Sequence, residues 1–263
     1  MPLAVCATPI GNLDDVTLRV LAELREADVV LAEDTRHTRG LLARHGIDAK
    51  LVSYHEHNEA ARVAELLPRL RAGERMALVS DAGMPAISDP GARLVRAALE
   101  GGVPVTVLPG ASAVETALVA SGLAAERYAF VGFLPRRAGE LAALWSELAD
   151  WRWPIVAFES PQRLPATLRS LAPERVVAVC RELTKRFEEV VVGPAAEVAA
   201  RIVEPPKGEI TLVVVPAAAV SRADEAGAAV AELVAAGTPR RVAVDVVAAL
   251  TDVARNDLYR DSL

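Results

Sequence analysis

Through the first hundred residues, short apolar runs alternate with stretches of helical spacing. Leu3–Thr8 (LAVCAT) reads as a strand, Thr17–Ala27 carries Leu18, Leu21 and Leu24 at helical intervals, and Val29–Asp34 (VVLAED) is apolar again. A helix from Thr35 to His45, a strand at LVSYHE, a helix over Ala60–Ala72, the strand MALVS, a helix from Gly91 to Glu100 and the strand VPVTVL complete the series. Continuous apolar strands separated by helices predict a doubly wound parallel sheet. After a helix at Ser112–Ser121 the rhythm changes. YAFVGFL, IVAFES, VVAVCREL, EVVVG and EITLVVV are strand-like, with fewer and shorter helices between them. The expected fold class is therefore α/β in two units, residues 1–120 and 121–216, with the break near Ala120–Arg127. An Ala-rich helical tail follows over 217–263, with a two-helix piece around Thr238–Asp261.

Two loops stand out against this pattern. Ala77–Gly91 (ALVSDAGMPAISDPG) runs from a strand into Asp, Gly, Pro and Ser. Gly83 and Gly91 allow sharp turns and close approach of a ligand, while Pro85 and Pro90 stiffen the segment between them. Leu108–Ala117 (LPGASAVETA) has a similar make and follows the next strand. Rigid small-residue loops at the carboxyl ends of strands are where open α/β sheets bind small molecules.

Composition narrows the chemistry. Half of the 263 residues are apolar but only 4% are aromatic, so Val, Leu, Ala and Ile must fill the interior. No uncharged run reaches the ~20 residues that span a bilayer, and the amino terminus lacks a basic, signal-like start, so a cytoplasmic protein with no membrane contact is expected. Cys6 and Cys180 lie far apart inside apolar runs and read as buried thiols. The net charge of −6 does not suggest a nucleic-acid binder, and the bias to 26 Arg over 3 Lys would follow equally from a GC-rich genome. There is no G-x-G-x-x-G after the first strand, no Walker loop and no G-x-S-x-G elbow. His55 and His57 in HEHNE lack the remaining ligands of a metal site, so no metal is expected.

Local polar clusters say more than net charge. Glu33, Asp34, Thr35, Arg36, His37 and Arg39 follow the second strand; Asp34–Thr35 would also serve as a helix cap. FES ends one later strand, CRELTKRFEE another, and FLPRR adds Arg136 and Arg137. With the topology above, these residues ring one end of both units, and a cleft walled by Arg suits a phosphate-bearing substrate.

The segments TPIGNLDDVT, LAEDTRHTR, SYHEHNE, VSDAGMPAISDPG, LPGASA, FVGFLPR, ESPQRL, CRELTKRFEE and GEITL, in this order, resemble the ribosomal RNA small-subunit 2′-O-methyltransferase family, of the tetrapyrrole-methylase fold. The resemblance covers roughly Val5–Val215. It implies two α/β domains with S-adenosyl-methionine in the cleft between them, a homodimer, and methylation of a cytidine ribose in 16S rRNA of the small ribosomal subunit. Carried over by motif, the cofactor would meet Pro9, Ile10 and Gly11; Asp81, Gly83, Met84, Ile87 and Ser88; Ser112 and Ala113; and, from the second unit, Phe158, Glu209, Ile210 and Thr211. Occlusion by Gly83→Val should abolish cofactor binding.

A sulfonium cofactor needs no phosphate nest, which agrees with the missing glycine fingerprint. Methyl transfer demands in-line alignment and a group to take the hydroxyl proton. Asp34, Glu159 and Lys185 are the candidates around that hydroxyl, Lys185 as a base only if its pKa is depressed, with Arg36 holding an adjacent phosphate. The tail after Pro216 carries five Arg against seven acidic residues and is not a basic RNA grip; NDLYR (Asn256–Arg260) resembles the family's last helix. Two other readings are a tetrapyrrole or corrin methylase of the same fold, which EDTRHTR and ESPQRL disfavour, and a non-catalytic ribosome-assembly factor, which the intact glycine loops disfavour.

Overall fold

The structure is a computed structural model and describes residues 2–149, 151–215, 218–251, 253–255 and 258, with the side chains of 218–225 excepted. In chain order the elements are β1 (Leu3–Cys6), a 3₁₀ turn (Leu13–Asp15), α1 (Leu18–Glu26), β2 (Val29–Ala32), α2 (Thr35–Arg44), β3 (Leu51–Ser53), α3 (Glu59–Arg71), β4 (Met76–Val79), α4 (Ala92–Glu100), β5 (Val105–Leu108) and α5 (Ala113–Ala120). The second half holds β6 (Ala129–Phe133), α6 (Ala138–Glu147), β7 (Ile155–Glu159), α7 (Leu164–Arg169), β8 (Val176–Arg181), β9 (Glu189–Pro194), α8 (Ala195–Arg201) and β10 (Ile210–Val214). Two helices follow, α9 (Ala218–Ala235) and α10 (Arg240–Thr251).

The first sheet is parallel throughout, in the order β3-β2-β4-β1-β5. Its three inner strands are wholly buried, because helices cover both faces, whereas β3 and β5 at the edges are only partly so. That is why the inner strands are apolar without alternation. The second sheet runs β6-β7-β10-β8-β9, and only β6 and β7 are parallel. β10 is antiparallel to both neighbours, and β9 forms a hairpin-like pair with β8. The strands expected after residue 127 are all present and form a second, mixed sheet.

Local chemistry sets the helix ends. Thr17 caps α1 through Val20 N–H, and Asp34 caps α2 through Arg36 N–H. His55 lies in the turn before α3, where its N–H donates to Asn58 Oδ1. No group of His, Cys, Asp and Glu among the described residues is arranged to hold a metal. The Tyr54 hydroxyl donates to Glu59, which also accepts Gly91 N–H at 3.1 Å and so ties the loop before α4 to α3. Gly91, at φ 136°, has no room for a side chain: a Cβ would lie 2.9 Å from Leu78 Cδ2.

Helix α5 joins the two halves. Val114, Ala117 and Leu118 are buried with Val156, Ala178, Cys180, Leu183 and Val213 in one cluster drawn from both sides. The final helices bury Ala226, Val230, Ala243, Val244 and Val247 against each other in a separate small core. The NDLYR segment lies, apart from Leu258, outside the described residues, as does the last part of the expected two-helix piece. Among the described residues no helix is long and apolar enough to cross a membrane.

Candidate active site

A cavity of about 450 Å³ opens between the two sheets, at the carboxyl ends of β2, β4 and β5. One wall is the loop after β4 with the start of α5; the facing wall comes from β6, β7 and β10. Twelve of the residues carried over for a cofactor line it: Ile10, Asp81, Gly83, Met84, Ile87, Ser88, Ser112, Ala113, Phe158, Glu209, Ile210 and Thr211. Pro9 and Gly11 do not; they belong to a turn beside it.

The loop after β4 is held rigidly. Thr8 and Gly83 exchange both backbone hydrogen bonds, at 2.8 and 3.1 Å, which stitches the end of β1 to the loop. Gly83 (φ 76°), Ala86 (φ 70°) and Ser88 (φ 63°) all occupy the left-handed region. A Cβ on Gly83 would meet no protein atom nearer than 3.7 Å, so within the protein the cost of Gly83→Val is backbone strain at φ 76°.

The turn at Gly11 meets the loop after β8. Asn12 N–H donates to Thr184 Oγ1 at 3.0 Å, and a Cβ on Gly11 would lie 2.5 Å from Lys185 Cγ. Glu182 (φ 53°) and Thr184 (φ 65°) are again left-handed. Lys185 Nζ bridges Glu182 at 2.9 Å and Glu209 at 2.8 Å. Burial opposes its charge, but the bonds to the two carboxylates outweigh this and hold its pKa above the ordinary lysine value. A depressed lysine, the condition for a base here, is not what the fold builds.

The other sequence candidates for the proton acceptor also have different work. Asp34 is absent from the cavity lining; it caps α2 and pairs with the Arg36 guanidinium at 2.7 Å. That bond from Arg36 holds the Asp34 carboxyl well below the usual range. Arg36 itself is 85% exposed. Glu159 lines the cavity, but its side chain is 0% exposed and its oxygens are taken up by Arg163 at 2.5 Å, the Thr167 hydroxyl at 2.5 Å and Ser160 N–H at 2.6 Å. It pins β7 to α7.

Three further lining residues bear on the chemistry; of these the sequence named Glu33 only within its polar cluster, and Asp89 and Phe133 not as candidates. Glu33 and Asp89 join Asp81 as a set of carboxylates on the wall formed by the first sheet. Burial, then the charge of Asp81, raises the pKa of Glu33, while Asp81 Oδ1 accepts Asp34 N–H. Burial, then the charges of Glu33 and Asp81, pushes Asp89 up to about 6. The third is Phe133, 62% exposed, which stands edge-on to Phe158 with ring centroids 5.4 Å apart. A register shift in β6 around Gly132 presents it, and a glycine inside a strand pattern is the sequence signal for such a bulge.

Of the expected Arg rim, Arg137 pairs with Glu140 and Arg181 with Glu189, while Arg186 lies over the ring of Phe187.

The crevice between a parallel sheet and a mixed sheet, walled by small-residue loops, marks a two-sheet α/β protein with its site between the sheets. The chain belongs to the family Tetrapyrrole (Corrin/Porphyrin) Methylases, whose model matches residues 2–199. Solved structures of that fold are similar to it: a uroporphyrin-III-C-methyltransferase from Thermus thermophilus (TM-score 0.59, 23% identity, 80% of this chain and 93% of that one) and a diphthine synthase (TM-score 0.63, 16% identity, 81% and 89%).

In sequence the chain is similar over nearly its whole length to proteins named ribosomal RNA small subunit methyltransferase I. That of Streptococcus pyogenes serotype M1 is 41% identical, with 98% of this chain and 93% of the relative aligned. That of Micromonospora olivasterospora is 44% identical over 98% and 85%, and that of Halalkalibacterium halodurans 48% over 74% and 68%.

Proposed function

We propose that the chain is an S-adenosyl-methionine-dependent enzyme that methylates the 2′-hydroxyl of a cytidine ribose in 16S rRNA, within the small ribosomal subunit. The observation that carries this reading is the cavity between the sheets, whose lining combines apolar surface, small-residue loops and carboxylates. Those walls fit the donor: Ile10, Met84, Phe158 and Ile210 suit an apolar adenosine face, and Glu33 and Asp81 suit a cationic sulfonium and ammonium. When bound, S-adenosyl-methionine supplies a methyl group activated by the positive sulfur.

In this reading residues 1–120 contribute the donor loops and residues 121–216 the facing wall, with 217–263 a helical tail. Pro9 and Gly11 act through the Gly11–Thr184 contact, which sets the separation of the walls. Ile87, Phe133 and Phe158 exclude water from the transfer path, and Phe133 offers an exposed face for a base to stack on. Arg36 and Arg39 lie on the exposed side of α2, and Arg136 is exposed beyond β6, where phosphates flanking the target would reach. Only contacted phosphates enter the salt-dependent binding term, so an acidic protein can hold RNA through such a rim. The chain works in the cytoplasm as a homodimer; the exposed edge at β5, with Val107 solvent-facing, supports pairing with a second copy.

The test incubates purified protein and labelled donor with small subunits from an unmethylated strain, then maps the label by nuclease digestion and mass spectrometry. A methyl on a cytidine 2′-oxygen is the expected result. Label on a porphyrinogen and none on the subunit would replace this reading with tetrapyrrole methylation.

A further inference from the structure

Resting on that reading, we propose that Asp89 is the group that takes the proton from the ribose hydroxyl as the methyl is transferred, with Glu33 tuning it. Inside the cavity most carboxylates are already engaged. Of the carboxylates lining it, Glu159 is committed to Arg163 and Thr167, and Glu209 to Lys185. Asp81 accepts the backbone N–H of Asp34 and so anchors the end of β2. Glu33 and Asp89 remain, and among the described residues no cation forms an ion pair with either.

Asp89 sits on the stiff loop between Ser88 and Pro90 and lines the cavity with Ile87 and Ser88, in a lining that also holds Phe133 and Phe158. The groups acting on it are Glu33, the nearby Ser80 hydroxyl, whose own hydrogen bonds go to the carbonyls of Ala82 and Gly83, and Asp81; His55 acts in turn on Glu33. The neighbouring Gly91 N–H is held by Glu59, so the backbone that carries Asp89 is fixed. An unpaired carboxylate in anionic company is a better base than an ordinary aspartate, and its value of about 6 lies close to working pH.

The balance is simple. The ribose oxygen–carbon bond forms as the sulfur–carbon bond breaks, and the hydroxyl proton passes to an Asp89 carboxylate oxygen. The products are a methyl ether, a neutral thioether and a neutral carboxylic acid, which returns its proton to solvent.

The experiment compares wild type, Asp89→Asn, Asp89→Glu and Glu33→Gln in single-turnover methylation of unmethylated small subunits between pH 5.5 and 8.5. Donor affinity is measured by calorimetry and subunit affinity by filter binding. The wild-type rate is expected to fall below about pH 6 with unit slope. Asp89→Asn should lose about 10²–10⁴-fold in rate and lose that acid limb, with both affinities within twofold of wild type. Asp89→Glu should recover part of the rate together with the limb. Glu33→Gln should keep the limb but move it to lower pH, since a neighbouring negative charge is removed. The proposal is overturned if Asp89→Asn keeps the rate or the acid limb, or if its main defect is a tenfold weaker donor affinity, which would make Asp89 a donor-holding residue. It is also overturned if the limb does not move in Glu33→Gln. A wild-type protein that leaves the subunits unlabelled would defeat the functional reading itself, a result visible before any variant is made.

Discussion

Replacing Gly11 with alanine should pry apart the two walls of the cavity. The added Cβ would sit 2.5 Å from Lys185 Cγ, 2.6 Å from Thr184 Oγ1 and 2.8 Å from the Leu183 carbonyl oxygen. None of these yields easily. Lys185 is fixed by carboxylates on both sides, Thr184 by the Asn12 N–H, and the Leu183 carbonyl by a loop already in left-handed backbone at two positions. Overpacking of this kind costs about 1–3 kcal/mol, and loss of the Asn12–Thr184 hydrogen bond adds about 0.5–1.5 kcal/mol. The contact joins two loops at the protein surface, so separating the loops relieves the strain more cheaply than unfolding either core. The cost then falls on donor affinity, weakened roughly 10- to 2,000-fold for about 1.5–4.5 kcal/mol. Calorimetry with S-adenosyl-methionine measures this directly. Gly40→Ala is the control, because nothing lies within 4 Å of its Cβ position in α2; it should stabilise the fold by about 0.4–1 kcal/mol. Donor affinity within twofold of wild type and an unchanged melting temperature for Gly11→Ala would refute the reasoning.

Three further outcomes are expected. Glu159→Ala leaves Arg163 without its buried partner and should cost about 3–5 kcal/mol, read as a lowered denaturant midpoint; a stable variant that loses only turnover would make Glu159 catalytic after all. Cys6 and Cys180, both buried and both with thiols pushed up to about 12 by burial, should resist a thiol reagent at pH 7.5 until the protein is unfolded. For Asp89, the folded-state value of about 6 lies above that of an unfolded chain, so its charge burdens the native state fully above pH 6 and not at all below pH 4. Asp89→Asn should therefore stabilise the protein at pH 8 by on the order of 1 kcal/mol, after discounting for solvent screening, and the gain should vanish on titration to pH 4; equal stabilities at pH 8 would contradict the burial argument.

The elements were legible because their signals are local. β1, β2 and β4 are apolar runs because both faces are covered, and Thr17 and Asp34 mark the starts of α1 and α2 by their own side chains. The two loops that wall the cavity were legible because glycine and proline requirements survive in one dimension. Strand direction in the second half was not, since the apolar run of β10 is the same whether its neighbours run with it or against it. The pairing of the three candidate proton acceptors was hidden for a related reason. Lys185, Glu159 and Asp34 stand in conspicuous polar segments, but conspicuous charges are the ones most readily paired. Glu33 and Asp89 look ordinary in sequence, and their character comes from burial and from each other, across fifty-six positions of chain.

Helix α5 begins among the donor loops and ends beneath the second sheet. Its amino end lines the crevice at Ser112 and Ala113, and its apolar side is covered by β7, β8 and β10. Cutting the chain after residue 120 would therefore strip that helix of its cover and leave a greasy scar on each fragment. The two halves are distinct in architecture yet share this one rod, which is wedged under the second sheet at one end and forms part of the crevice wall at the other.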